Sequence, residues 1–100
     1  MKSVIAKVMD KFMDHYYLRV NTREAIKTMF ILFDECHISH DDVKVVNDAA
    51  TGRNVYVVIS VKSEKQERRI RNRFRLDYKN ANEFGSKRNK VYDLSMERVF

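Results

Sequence analysis

The sequence predicts an α+β fold, a single domain over residues 1–100 in which helices pack on a small sheet. Two observations carry this prediction. Apolar residues recur with a helical period in three segments and with a period of two in others. The chain also has no proline and only two glycines, which favours long uninterrupted elements. We expect the order α-α-β-β-α-β, with three strands in one sheet and a basic third helix.

The first predicted element is an amphipathic helix over residues 3–18. Its apolar side chains are three and four residues apart, and charged residues such as Lys7 and Asp10 lie on the other side of the helical wheel. The apolar positions are Ile5, Val8, Met9, Phe12, Met13 and Tyr16.

A second helix is predicted over residues 22–36, with Asn21 as its N-cap and Glu24 as the capping partner. Its apolar positions cover more than a third of the circumference, so we expect it to be the most buried helix. They are Ala25, Ile26, Met29, Phe30, Leu32, Phe33 and Cys36. A strand over residues 29–33 is the alternative, but the cap and the spacing favour the helix.

A β-hairpin should follow, with strands over residues 43–46 and 54–61. The turn-forming residues 48–53 lie between them. The longer strand is apolar on both faces, with Val57 and Ile59 on one face and Val58 on the other. This two-sided pattern is typical of a central strand.

The third predicted helix begins after Ser63, which has Gln66 as its capping partner, and runs to about residue 82. Its narrow apolar stripe consists of Ile70, Phe74, Tyr78 and Ala81, whereas Leu76 points away from the stripe into the basic face. A last strand over residues 90–96 would complete a strand–helix–strand unit. We expect it to lie parallel to the second strand, joined by a right-handed crossover.

Charge is concentrated in the segment 62–90, which has eleven Lys and Arg against four Asp and Glu. Residues 1–61 are neutral, with eight charges of each sign. A neutral chain with one basic segment has a directed electrostatic feature, and its usual partner is a polyanion. Glu64 and Glu67 each precede an arginine by four residues and should pair with it. The other cations have no partner nearby in the sequence.

Five arginines fall between Arg68 and Arg75. The guanidinium group is a planar fork that bonds phosphates and base edges in a bidentate manner and stacks on bases, which lysine does not do. The chain has no helix-turn-helix spacing, so RNA is favoured over duplex DNA. The predicted nucleic-acid-binding residues are Arg68, Arg69, Arg71, Asn72, Arg75, Lys79, Lys87, Arg88 and Lys90.

The predicted function is therefore non-catalytic binding of nucleic acid, by a regulator or inhibitor that acts within a protein–RNA complex. Two alternatives remain. The Lys-, Asn- and Asp-rich composition resembles that of small early phage proteins, which implies an inhibitor that binds a host or defence protein through its basic face. The second alternative is a small basic endoribonuclease of toxin type, with His15, His37, His40, Tyr78 and Tyr92 as candidate acid–base groups.

Metal and cofactor sites are not expected. Cys36, His37 and His40 have a spacing that occurs in metal sites, but a structural zinc ion needs four ligands. Residues 31–37 resemble the Asp-Glu-Cys-His box of helicases, although no glycine–lysine phosphate-binding loop accompanies them. One cysteine permits no internal disulfide, and neither a signal peptide nor a membrane span is evident. We therefore expect a cytoplasmic protein.

Overall fold

A mixed five-stranded sheet is the scaffold of the protein, which we describe from a computed structural model of residues 14–50, 52–76, 81–83 and 89–95. Four strands have five residues or more, and a three-residue strand lies at one edge. They are β1 (Asp14–Asn21), β2 (Val43–Asn47), β3 (Asn54–Val61), β4 (Ala81–Glu83) and β5 (Asn89–Asp93). The order across the sheet is β2-β3-β1-β5-β4, and only β1 and β5 are parallel neighbours. The α+β class is confirmed, but the prediction of three strands in the sheet was too low.

Strand β1 replaces the end of the predicted first helix. Tyr16, Leu18 and Val20 are fully buried, while Tyr17 and Arg19 between them are only partly buried. This alternation has the period of a strand, and pairing on both sides places β1 in the middle of the sheet. The helical prediction was therefore wrong from residue 14 onward. Its earlier part, residues 3–13, lies outside the described residues.

The helix predicted over residues 22–36 is present, but it combines 3₁₀-, α- and π-helical turns. A 3₁₀ turn (Thr22–Glu24) leads into α1 (Ala25–Phe30), and a π-helical turn (Ile31–Glu35) follows. The Asn21 side chain caps the start, accepting a hydrogen bond from the Arg23 N–H at 3.1 Å.

Leu32 and Cys36 are buried as predicted, but two other positions of the predicted apolar face are exposed. Ile26 and Phe30 are 67% and 60% exposed, whereas Thr28 is fully buried. The Thr28 hydroxyl donates to the Glu24 carbonyl at 2.7 Å, so its burial leaves no polar group unsatisfied. The predicted helix is therefore buried mainly at its C-terminal end, through Ile31, Leu32 and Cys36, and less in its first two turns.

The predicted hairpin is confirmed, with β2 and β3 paired antiparallel around the turn at residues 48–53. Gly52 has φ +66°, a left-handed conformation that glycine adopts without strain. Strand β3 lies between β2 and β1, and Val57, Val58 and Ile59 are all buried. The two-sided apolar pattern thus identified an interior strand.

Helix α2 (Glu64–Phe74) is shorter than predicted. Its start is as expected, because the Ser63 hydroxyl accepts a hydrogen bond from the Gln66 N–H at 3.2 Å. It ends where Arg75 adopts a left-handed conformation (φ 55°) and the Leu76 N–H donates to the Arg71 carbonyl at 3.0 Å. This reversal buries Leu76, which is 7% exposed and belongs to the core, not to the basic face. Residues 81–83 form β4, and Tyr78 lies outside the described residues.

Strand β5 (Asn89–Asp93) overlaps the predicted last strand over residues 90–96, but its partner differs. It pairs in parallel with β1, and β1 separates it from β3. Because β1 and β3 are antiparallel, β5 runs opposite to β3, so the predicted parallel pairing of the second and last strands was wrong. The unpredicted β1 occupies the place that the prediction assigned to the last strand.

Both helices contribute to one core with the sheet. We call residues 22–36 the α1 segment. It contributes Leu32 and Cys36, and α2 contributes Ile70 and Phe74, to the same buried cluster as Tyr16 of β1. The Cys36 thiol approaches the Arg69 carbonyl at 3.9 Å, so the end of the first helical segment lies beside α2. Burial raises the pKa of this thiol. Neither described helix has the length and apolar character needed to cross a membrane.

Candidate nucleic-acid interface

Ion pairs divide the cations in and near α2 into two groups. Arg73 Nε lies 2.9 Å from Glu35 Oε1, and Lys62 Nζ lies 2.9 Å from Asp42 Oδ1. Arg71 Nε lies 3.7 Å from Glu67 Oε1, one turn earlier on the helix, as predicted. The Arg73–Glu35 pair joins residues 38 positions apart and was not visible in local sequence. The charges of Lys62, Arg73 and, at a longer distance, Arg71 are therefore each next to a carboxylate of the protein itself.

A second group faces solvent along α2, and we call it the basic row. It consists of Lys65, Arg68, Asn72 and Arg75, all exposed. Lys65, Arg68 and Asn72, at spacings of three and four residues, follow one side of α2, and Arg75 lies at its C-terminal end, so at about 1.5 Å per residue the row is about 15 Å long. None of the three cations forms an ion pair or a side-chain hydrogen bond with any residue that the structure describes. Their charge is free to meet an external anion.

The basic row contains three of the nine predicted binding residues, Arg68, Asn72 and Arg75, and adds Lys65. Helical spacing from Arg68 could have identified Lys65, which is one turn earlier. Three others lie apart from the row. Arg69 and Arg71 are only partly exposed, on its two flanks, and Lys90 is on β5. Lys79, Lys87 and Arg88 lie outside the described residues.

Two buried tyrosines lie beneath α2. Tyr16 and Tyr92 are almost fully buried, with ring centroids 5.3 Å apart, and the Lys90 ammonium is 5.8 Å from the Tyr16 ring centroid. The Tyr16 hydroxyl is buried and lies close to the Arg71 and Glu67 side chains. Burial raises its pKa far above the usual range, while the nearby Arg71 guanidinium opposes the rise and Glu67 adds to it. Because Tyr92 is buried, it is closed to stacking on a base.

A pocket of about 460 Å³ opens beside these tyrosines, and we call it the α2 pocket. It lies where β1 begins, β3 ends and α2 starts, since Asp14 and Val61 are cross-strand partners and Ser63 caps the helix. Its lining combines carboxylates, arginines and one apolar side chain: Asp14, Val61, Ser63, Glu64, Glu67, Arg68 and Arg71. Arg68 belongs to both the pocket and the basic row.

The histidines are distributed over different parts of the fold. His15 follows the alternation of β1, so it lies on the sheet face opposite Tyr16 and the helices. His37 and His40 lie between the α1 segment and β2, and the His40 ring is 4.0 Å from that of Phe33. In the described part of the chain, no three His, Cys, Asp or Glu residues come together in a group that could hold a metal ion.

No protein-family model, curated protein or solved structure matches this chain.

Proposed function

We propose that the protein binds nucleic acid without catalysis, RNA in preference to DNA, and that the basic row contacts the phosphates. It would act as a regulator or inhibitor, within a protein–RNA complex. The observation that carries the proposal is the division of charge on α2. Asp42, Glu67 and Glu35 are paired with Lys62, Arg71 and Arg73, whereas Lys65, Arg68 and Arg75 are exposed and have no such partner among the described residues.

The chemistry of the row suits a phosphate backbone. Arginine donates two parallel hydrogen bonds to phosphate oxygens, and each neutralised phosphate releases condensed counterions. The Asn72 amide, between Arg68 and Arg75, offers a neutral donor and acceptor to a sugar or a base edge. The capped helix holds the backbone in place, so the entropy lost on binding is that of the side chains alone.

The size of the row favours single-stranded or irregular RNA. A row about 15 Å long spans a few nucleotides, and the deep, narrow major groove of an A-form duplex does not admit side chains that read bases. Unpaired nucleotides can instead bring phosphates and bases to one helix face. RNA is therefore the first ligand to test, with duplex DNA as the comparison.

The proposal is tested with the triple variant Lys65→Gln, Arg68→Gln and Arg75→Gln. Its binding to a fluorescent single-stranded oligouridine of about twelve nucleotides is measured by anisotropy over a range of salt concentrations. The log–log salt slope should fall by about two to three, at about 0.7–0.9 per lost phosphate contact. The matched control replaces Arg23, Lys27 and Lys44, three exposed cations outside α2, with Gln. Equal loss in both variants would mean that net charge alone, and not the basic row, determines binding.

A protein partner is the second candidate, and the exposure of Ile26 and Phe30 on α1 favours it. Large apolar side chains at this exposure are typical anchors of protein interfaces. If wild type binds no RNA even at about 50 mM salt, where phosphate contacts are strongest, this candidate replaces the first. The basic face would then meet an acidic surface of that protein.

The endoribonuclease alternative is tested in the same samples. Labelled RNA recovered after incubation with wild type should be intact on a denaturing gel. Cleavage that disappears on replacing His37 and His40 with Gln, while persisting in the His15→Gln variant, would establish catalysis instead.

A further inference from the structure

We propose that the α2 pocket receives a guanine base of the bound strand, which would make the protein selective for guanine. This inference rests on the proposed function, because the strand must first lie along the basic row. The two features are continuous, since Arg68 lines the pocket and is also a member of the row. A nucleotide whose phosphate meets the row therefore has its base beside the pocket opening.

The lining of the pocket complements the edges of guanine. The Watson–Crick edge of guanine carries the N1–H and N2–H₂ donors, and its Hoogsteen edge carries the O6 and N7 acceptors. Glu64 and Glu67 supply acceptors on the α2 wall. When guanine is bound, Arg68 moves from the phosphates to the base and supplies the paired donors that match O6 and N7, while Lys65 and Arg75 keep their phosphate contacts. Adenine instead presents its N1 acceptor to the carboxylates, and uracil has only one ring N–H donor. The donor and acceptor pattern thus favours guanine over both.

The size and the floor of the pocket also fit a base. Its volume of about 460 Å³ is within the usual range for small-ligand pockets, and Val61 provides an apolar surface against the ring.

The test compares three oligoribonucleotides: oligouridine, and the same strand with one central guanosine or one central adenosine. Wild type should bind the guanosine strand about tenfold more tightly than the other two. The double variant Glu64→Gln and Glu67→Gln should lose most of this preference. It should bind plain oligouridine as well as wild type or better, because two negative charges are removed near the row. The control Asp34→Asn with Asp41→Asn removes two exposed carboxylates elsewhere and should retain the preference.

The outcomes separate the two proposals. Equal, salt-dependent binding of all three strands would overturn the guanine pocket and leave the basic row as the binding site. A preference that survives in the double variant would also overturn the pocket. Absence of binding to every strand at low salt would overturn the proposed function and the pocket with it. If the double variant also loses oligouridine binding, the guanosine preference is measured on the single variant Glu64→Gln instead. Glu64 is exposed, and in this variant Glu67 keeps its pairing with Arg71.

Discussion

Glu35 Oε1 lies 2.9 Å from Arg73 Nε, which joins the end of the α1 segment to the last turn of α2. Glu35 is half-exposed and Arg73 is a third exposed, so the pair stabilises the fold by less than about 1 kcal/mol. Its main consequence is that it distinguishes between arginines of the basic helix. It occupies one arginine of the basic helix and leaves Arg68, five residues earlier on the same helix, to solvent.

The two arginines should therefore differ in their contribution to RNA binding. Arg68→Gln should lower the log–log salt slope by about 0.7–0.9, the value for one phosphate contact. Arg73→Gln removes the same charge from the same helix but should change the slope much less. Anisotropy titrations of the two variants at several salt concentrations check this. A larger effect from Arg73 would mean that the ion pair with Glu35 opens when RNA binds.

Arg75→Gly should raise stability while weakening RNA binding. Arg75 has φ 55°, and a residue with a Cβ loses roughly 1 kcal/mol or more there compared with glycine. The substitution removes this strain and also removes one charge of the basic row. Thermal melts and binding titrations of the same preparation provide the measurement. A lower melting temperature would indicate that the Arg75 side chain makes a stabilising contact.

Leu76→Ala should destabilise the protein by about 2–3 kcal/mol, because the side chain is buried in the core. Binding of RNA by the folded fraction should not change. Urea unfolding provides the free energy, and Val46→Ala, at an exposed position of strand β2, is the control for removing an apolar side chain that is not buried. A Leu76 variant of normal stability with weakened binding to a partner would show that the side chain is an interface anchor.

Ile59→Asp should prevent folding, because Ile59 is fully buried in the interior strand β3 and an unpaired buried carboxylate costs several kcal/mol. Val45→Asp is the control, since Val45 is on edge strand β2 and is 42% exposed. Circular dichroism melts should show a cooperative transition for the control and none for Ile59→Asp. A cooperative melt of both would place β3 at an edge.

Stability should fall when the solution is acidified below about pH 4. The hydrogen bond from Arg19 to Asp48 lowers the pKa of that carboxyl below its usual value, and the Ala50 N–H adds to the effect. A lowered folded-state pKa contributes stability above the unfolded value of about 3.9 that is lost as the pH falls through the folded value. Melting temperatures between about pH 6 and 2 should therefore decline less steeply for Asp48→Asn than for wild type. Parallel curves would mean that Asp48 has the same pKa in the folded and unfolded states.

Local sequence determined much of this protein. The turn between Asp48 and Gly52 predicted the hairpin, the two-sided apolarity of residues 54–61 predicted an interior strand, and Ser63 with Gln66 located the start of α2. These features depend on contacts between residues close in the chain, such as caps and turns, or on a period that each element shows by itself. The concentration of arginine between Arg68 and Arg75 likewise predicted which helix would be basic.

Tertiary structure decided the rest, because the deciding partners are distant in sequence. Tyr16 suits the apolar face of a helix as well as a strand, and pairing with β3 and β5 selects the strand. Leu76 would lie on the basic face if the helix continued through it, but ending the helix at Phe74 buries its side chain in the core. Arg68 and Arg73 are residues of the same type on the same helix. The position of Glu35, 38 residues before Arg73, distinguishes them. Which cations remain available to a polyanion is therefore a property of the folded chain, since ion pairs between helices depend on how the helices pack.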